Sequence, residues 1–200
     1  VGCIQSWATR PGWQCPVIVD NMMNLELLMW AFKKSGDSTF YKIAVQHADT
    51  TMKNHYRPDH SSYHVVSYDT ITGQVEIKQT NQGYADESDW SRGQSWGLYG
   101  YVMMYRETGL KRYLDHAVNI ADFLINHPNM PDDMIPYWDY DAPDIPDAKR
   151  DASAGAIMAS ALTELSGYAD QDRKVKYLQV AEKQLRSLSS PAYRAEPGQN

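Results

Sequence analysis

Between Gln82 and Gly100 the chain reads QGYADESDWSRGQSWGLYG. An Arg, a Gln, several carboxylates and two Trp stand at the entry to a stretch that then turns apolar. A Trp face stacks on the apolar side of a pyranose ring. An Arg presents a planar fork that grips a carboxylate through two bonds. The combination suits a carbohydrate, above all an acidic sugar. A purely structural helix start needs only a cap and an apolar stripe.

Asp20 is the second candidate. It follows PVIV and opens an apolar segment. An isolated Asp there is ordinarily an N-cap. Near aromatic side chains, in a partly dry pocket, the same carboxyl keeps its proton and serves as a general acid. Arg92 begins the RGQSW segment, where a cation opposes the helix dipole. That cost calls for a partner: a ligand carboxylate, or Asp86, Glu87 or Asp89. Trp96, inside the helix, reads as the more core-like of the two indoles, and Trp90 as the less. His64 and Gln82 are polar partners for the site. His60 and His64, with Asp59 nearby, have metal-compatible spacing, but an ordinary hydrogen-bonded or exposed His is the better reading, so no metal is expected. Asp151 reads as a cap, and Asp139 and Asp141 as loop-shaping residues.

These residues need a scaffold. Residues 20–34 and 38–55 carry helical periodicity and are separated by Gly36. In the first of them Met23, Leu27, Leu28 and Ala31 mark the apolar stripe. The pattern returns at 92–108 and 111–126, around Gly109, and again at 152–166 and 172–188, around Gly167. Gly36 precedes Ala44 and Ala48 by 8 and 12 residues, as Gly109 precedes Ala117 and Ala121. That match predicts a repeated helical hairpin. The first helix of each pair has few charges and is expected inside; the second is charged on one face and is expected outside. Long loops at about 56–91 and 127–151 join the pairs, so Asp20, Arg92 and Asp151 should meet on one rim. The first loop holds HVVSYDTITGQVEIKQT, whose alternation around Thr-Gly predicts a β-hairpin near 64–79. The second, PYWDYDAPDIPDAKR, reads as ordered and rich in turns.

Composition narrows the function. The formal net charge is −6 and no Lys/Arg run occurs, which argues against a nucleic-acid partner. Aromatic residues are weighted to 14 Tyr and 6 Trp against 3 Phe, as in a lined cleft rather than a dry core. Cys3 and Cys15 lie in no zinc-like cluster, and nothing supports a disulfide between them. No apolar run reaches the length of a membrane span, so no membrane partner is expected. The chain starts at Val1 and stops at PGQN, and both ends read as trimmed.

IVDNMMNLELLMWA, QGYADESDWSRGQSWGLYG and PYWDYDAPDIPDAKRDASAGAI, in this order, resemble the unsaturated glucuronyl hydrolases, glycoside hydrolase family 88. The resemblance runs from about Gln5 to about Leu188. It implies an all-α fold, part of an (α/α)6 barrel. Three of its six hairpins are present here, so residues 1–200 would be a single incomplete catalytic domain. It implies that Asp20 is the acid/base residue and that His64, Gln82, Trp90, Arg92 and Trp96 bind substrate, with no cofactor. The family's second important Asp lies upstream of Val1 and has no counterpart in this chain. The implied substrate is an oligosaccharide made by a polysaccharide lyase, with a C4=C5 unsaturated uronic acid at its non-reducing end. Related rhamnogalacturonyl hydrolases (family 105) typically carry RGNGW where this chain has RGQSW, which favours family 88. A non-catalytic helical-repeat scaffold is the reading from another class, and it does not explain Trp, Arg and Asp on one rim.

Overall fold

A computed structural model describes residues 1–195 and 198. Six helices form three antiparallel hairpins. In the first, α1 (Asn21–Ser35) turns into α2 (Ser38–His55) at Gly36, which sits at φ 73° and donates its amide to Phe32 O. In the second, Gly109 at φ 67° turns α3 (Ser91–Thr108) into α4 (Lys111–Ile125) with the equivalent bond to Tyr105 O. Only glycine takes this left-handed cap without strain. The third pair, α5 (Ala152–Leu165) and α6 (Gln171–Leu188), departs from the pattern: its turn closes through Ser166 in right-handed conformation.

The inner and outer ranks follow the expected order. α3 lies between α1 and α5, and each of the three is backed by its own hairpin partner. A Cβ on Gly100 would collide with Met22 Cβ and stand 2.9 Å from the Met22 carbonyl carbon, so α1 and α3 meet almost backbone to backbone. That contact selects the buried face of α1. Met22, Leu25 and Met29 face the core, not the expected stripe, and Leu27 is 68% exposed. α1 is apolar around much of its girth, and Met22, Leu25 and Met29 make a second stripe of helical spacing on the face nearly opposite the expected one. No described helix is long and apolar enough to cross a membrane.

The β-hairpin forms between β2 (Val65–Tyr68) and β3 (Val75–Gln79). Its turn is held by Asp69 Oδ1, which accepts from the Ile71 and Thr72 amides, and by Gly73 at φ 71°. A third strand, β1 (Pro16–Ile18), adds antiparallel to β2 with Val17 opposite Val66. The sheet is therefore one strand wider than the hairpin expected from alternation. Cys3 and Cys15, both unbonded, pack near its buried face with Val17, Val66 and Tyr68.

Candidate active site

The strand missed by alternation is the one that builds the site. β1 ends two residues before Asp20, and β2 begins one residue after His64. Pairing of Ile18 with Val65 continues into a 3.0 Å bond from the Val19 amide to His64 O. Asp20 and His64 are thereby placed side by side at the entry to α1.

Asp20 occupies the N-cap position, yet its backbone is already helical and its side chain makes no capping bond. Its carboxyl is 15% exposed. Burial pushes it up to about 6, against the pull of the Arg92 charge. Oδ2 is buried without a hydrogen-bond partner. A carboxyl oxygen that neither caps the helix nor accepts a hydrogen bond is free for chemistry.

His64 is almost fully enclosed. Its Nδ1 accepts from the amides of Asn81 and Gln82 at 3.1 and 3.2 Å. That network puts the proton on Nε2, which stands 4.0 Å from Asp20 Oδ2 and has no hydrogen-bond partner. Burial and the Arg92 charge lower the imidazole to about 4, so it is neutral at ordinary pH. Trp90 lies tilted against the ring at 4.3 Å between centroids.

Arg92 is in the first turn of α3. Its guanidinium lies 5.2 Å from the Trp90 ring, and its Nε is 3.5 Å from Asp151 Oδ2. None of the three expected structural partners holds it. Asp89 pairs with Arg57 at 2.9 Å, Glu87 also faces Arg57, and Asp86 Oδ1 accepts from the Thr80 amide. Asp151 does cap α5, accepting from the Ala154 amide at 2.8 Å.

The two indoles exchange their expected places. Trp90 is the enclosed one, 4% exposed, because the bridge between Trp90 and Asp139 lays the second long loop over it. Trp96 is half-buried, edge-on to Tyr99 at 5.8 Å, in a hollow between α1, α3 and α5 that also holds Met23 and Ile157. The Gln82 side chain is exposed; its backbone amide is what touches His64. His60 stands edge-on to His116, with 6.1 Å between ring centroids, and the described residues contain no metal-ligand cluster.

Asp139 and Asp141, read as loop-shaping residues, hold the loop before α3, and further supporting residues, Arg57, Trp7 and Trp13, carried no motif. Asp139 Oδ2 accepts from the Tyr84 amide and Ser88 Oγ, both at 2.8 Å, and Asp141 Oδ2 accepts from the Asp89 amide. Both acids thus shape the loop before α3. Arg57 ties the end of α2 to the same loop through Asp89 and Asp86 O. Trp7 stands edge-on to His64 at 6.1 Å and stacks on Trp13 at 5.3 Å, with Arg10 over Trp13. Two Trp six residues apart were the available signal.

No protein-family model matches the chain. It is similar to the unsaturated glucuronyl hydrolase of Formosa agariphila, 50% identical over 194 residues, covering 96% of this chain and 48% of the relative. A solved unsaturated glucuronyl hydrolase specific for heparin superposes with a TM-score of 0.94 at 51% identity, over 99% of this chain and 53% of that one. A variant of the Streptococcus agalactiae enzyme, solved in complex with dGlcA-GalNAc6S, gives 0.74 at 32% identity over 86% and 45% of the two chains. The chain spans about half the length of the curated relatives it matches. Its three hairpins correspond to part of the (α/α)6 barrel of those enzymes, and over nearly its whole length the chain is similar to the unsaturated glucuronyl hydrolases.

Proposed function

We propose that this chain carries the acid/base residue of an enzyme that releases a C4=C5 unsaturated uronic acid from the non-reducing end of lyase-generated oligosaccharides. The observation that carries the reading is the Asp20 carboxyl: it makes no capping bond, its Oδ2 has no hydrogen-bond partner, and it is raised to about 6, with the Nε2–H of a neutral His64 across from it. Protonated Asp20 gives its proton to C4 of the vinyl ether, and positive charge develops at C5 and the ring oxygen. The resulting carboxylate takes a proton from water as the water oxygen bonds to C5. Asp20 is restored and the product is a hemiketal, which opens and expels the neighbouring sugar. One residue serves both steps because the first leaves it charged and the second uses that charge. In this scheme Arg92 binds the substrate carboxylate, Trp90 and Trp96 wall the subsite, and His64 and Gln82 orient the groups around Asp20. The three hairpins form one part of a catalytic domain, with further hairpins closing the ring.

The test follows loss of the double bond by its ultraviolet absorbance on a lyase-generated disaccharide, in the longest gene product that carries these residues. Asp20→Asn should abolish that loss, since an amide of the same shape cannot deliver the proton. Turnover at the parental rate would remove Asp20 from the acid/base role.

A further inference from the structure

We propose that Asp151 is a positioning residue for recognition, holding Arg92 so that the outer edge of its guanidinium faces the ligand. The proposal rests on the reading of Arg92 as the group that binds the substrate carboxylate.

The Asp151 carboxylate is divided between two tasks. One oxygen accepts from the Ala154 amide at 2.8 Å and caps α5. The other stands 3.5 Å from Arg92 Nε. Capping needs only the first, and Asn or Ser would do it as well. The second oxygen supplies what an Arg at the start of α3 lacks, a fixed negative charge against the opposing helix dipole.

The geometry leaves the right edge open. Asp151 approaches Nε, the inner nitrogen, and the Trp90 ring lies 5.2 Å from the guanidinium carbon. Among the described residues, no hydrogen bond uses Nη1 or Nη2, which together form the edge that grips a carboxylate bidentately. The Asp151 side chain is 8% exposed and that of Arg92 38%, so the anchor is inside and the anchored group reaches outward. Asp151 is itself fixed, because its amide donates to Pro136 O at 2.8 Å and its carbonyl accepts from Gly155. A long side chain with several rotors is thus held before substrate arrives, and the ordering cost of binding falls.

The decisive variant is Asp151→Asn, in the longest gene product that carries these residues. Asparagine keeps the cap and removes the charge. KM for an unsaturated disaccharide should rise by about three- to thirtyfold, the usual range of coupling within one ion-pair network, while kcat changes less and the melting temperature holds. The KM effect should vanish for an analogue whose uronate carboxylate is an amide. Asp151→Ala, which also loses the cap, should lower the melting temperature as well. The second readout needs no turnover: in protein labelled with nitrogen-15 arginine, the Arg92 Nε–H should exchange faster with solvent in Asp151→Asn than in the parent. An unchanged or lowered KM together with unchanged exchange overturns the proposal. If the parent itself does not act on the disaccharide, the functional reading has failed, and the exchange rate alone still decides whether Asp151 holds Arg92.

Discussion

His64 Nε2 and Asp20 Oδ2 face each other across 4.0 Å, and neither has a hydrogen-bond partner. The gap is too long for a bond and both atoms are buried, a costly arrangement for two polar groups. It is maintained from outside the pair. The Asn81 and Gln82 amides hold His64 from behind, and the bond from Val19 to His64 O sets the distance between the backbones. Strain at a binding site of this kind is expected to be offset elsewhere in the fold.

Asp20→Asn should therefore stabilise the protein at alkaline pH. The folded carboxyl titrates at about 6, above its ordinary 3.8, so its ionised form is disfavoured by folding. The stability tied to that proton is complete below about pH 4 and is lost as pH rises through about 6. At pH 8 the Asn variant should gain up to about 3 kcal/mol, the equivalent of a shift of about two units. Denaturant midpoints at low and high pH check this. A gain at low pH, or none at high pH, would contradict the burial argument.

The same titration shapes the rate. The first step needs protonated Asp20, so kcat/KM should fall about tenfold per pH unit above about 6. On the acid side, protonating His64 at about 4 sets a cation against the two amides that now donate to Nδ1. The profile should be a narrow bell between these values. An alkaline limb beginning near 4 would mean that Asp20 titrates as an ordinary surface carboxylate.

Much of this architecture was legible in the chain. Gly36 and Gly109, each followed at the same offsets by two Ala, mark the hairpins because a left-handed cap and a close helix contact leave few alternatives. Convergence of Asp20, Arg92 and Asp151 on one rim followed from that repeat. What stayed hidden depended on packing between distant segments. β1 is only three residues long, too short to show alternation. The buried face of α1 is chosen by Gly100, far away in sequence. Trp90 is enclosed by the loop carrying Asp139, so its position just before α3 said nothing of its burial. Arg92 found Asp151 rather than a neighbour in sequence, because Arg57 had already taken Asp89.

Arg92→Lys should not be conservative. An ammonium has no planar fork and cannot hold Asp151 through one nitrogen while offering two others to a ligand. KM for the acidic disaccharide should rise by about tenfold or more, as expected for loss of a charge-assisted bond. The amide analogue should respond much less. Equal losses for acid and amide would take Arg92 out of carboxylate recognition.

Gly100→Ala tests whether packing in the core positions the chemistry. The added methyl would meet Met22 Cβ and the Met22 carbonyl carbon, which cannot swing aside as a side chain can. Overpacking of this kind costs about 1–3 kcal/mol. Met22 is two residues beyond Asp20, and its amide donates to Val19 O in the same turn. A push on Met22 therefore moves the start of α1, and with it the carboxyl that faces His64. Misplacement on the ångström scale is enough to depress a rate. kcat should fall well below the parental value at a temperature where the variant is fully folded. Gly36→Ala is the control: its left-handed φ of 73° also strains an Ala, but its Cβ would meet nothing within 4 Å. That variant should lose comparable stability and keep its kcat. If Gly100→Ala, folded, turned over as fast as Gly36→Ala, the α1–α3 contact would serve stability alone, and the alignment of Asp20 would have to come from the β1–β2 pairing.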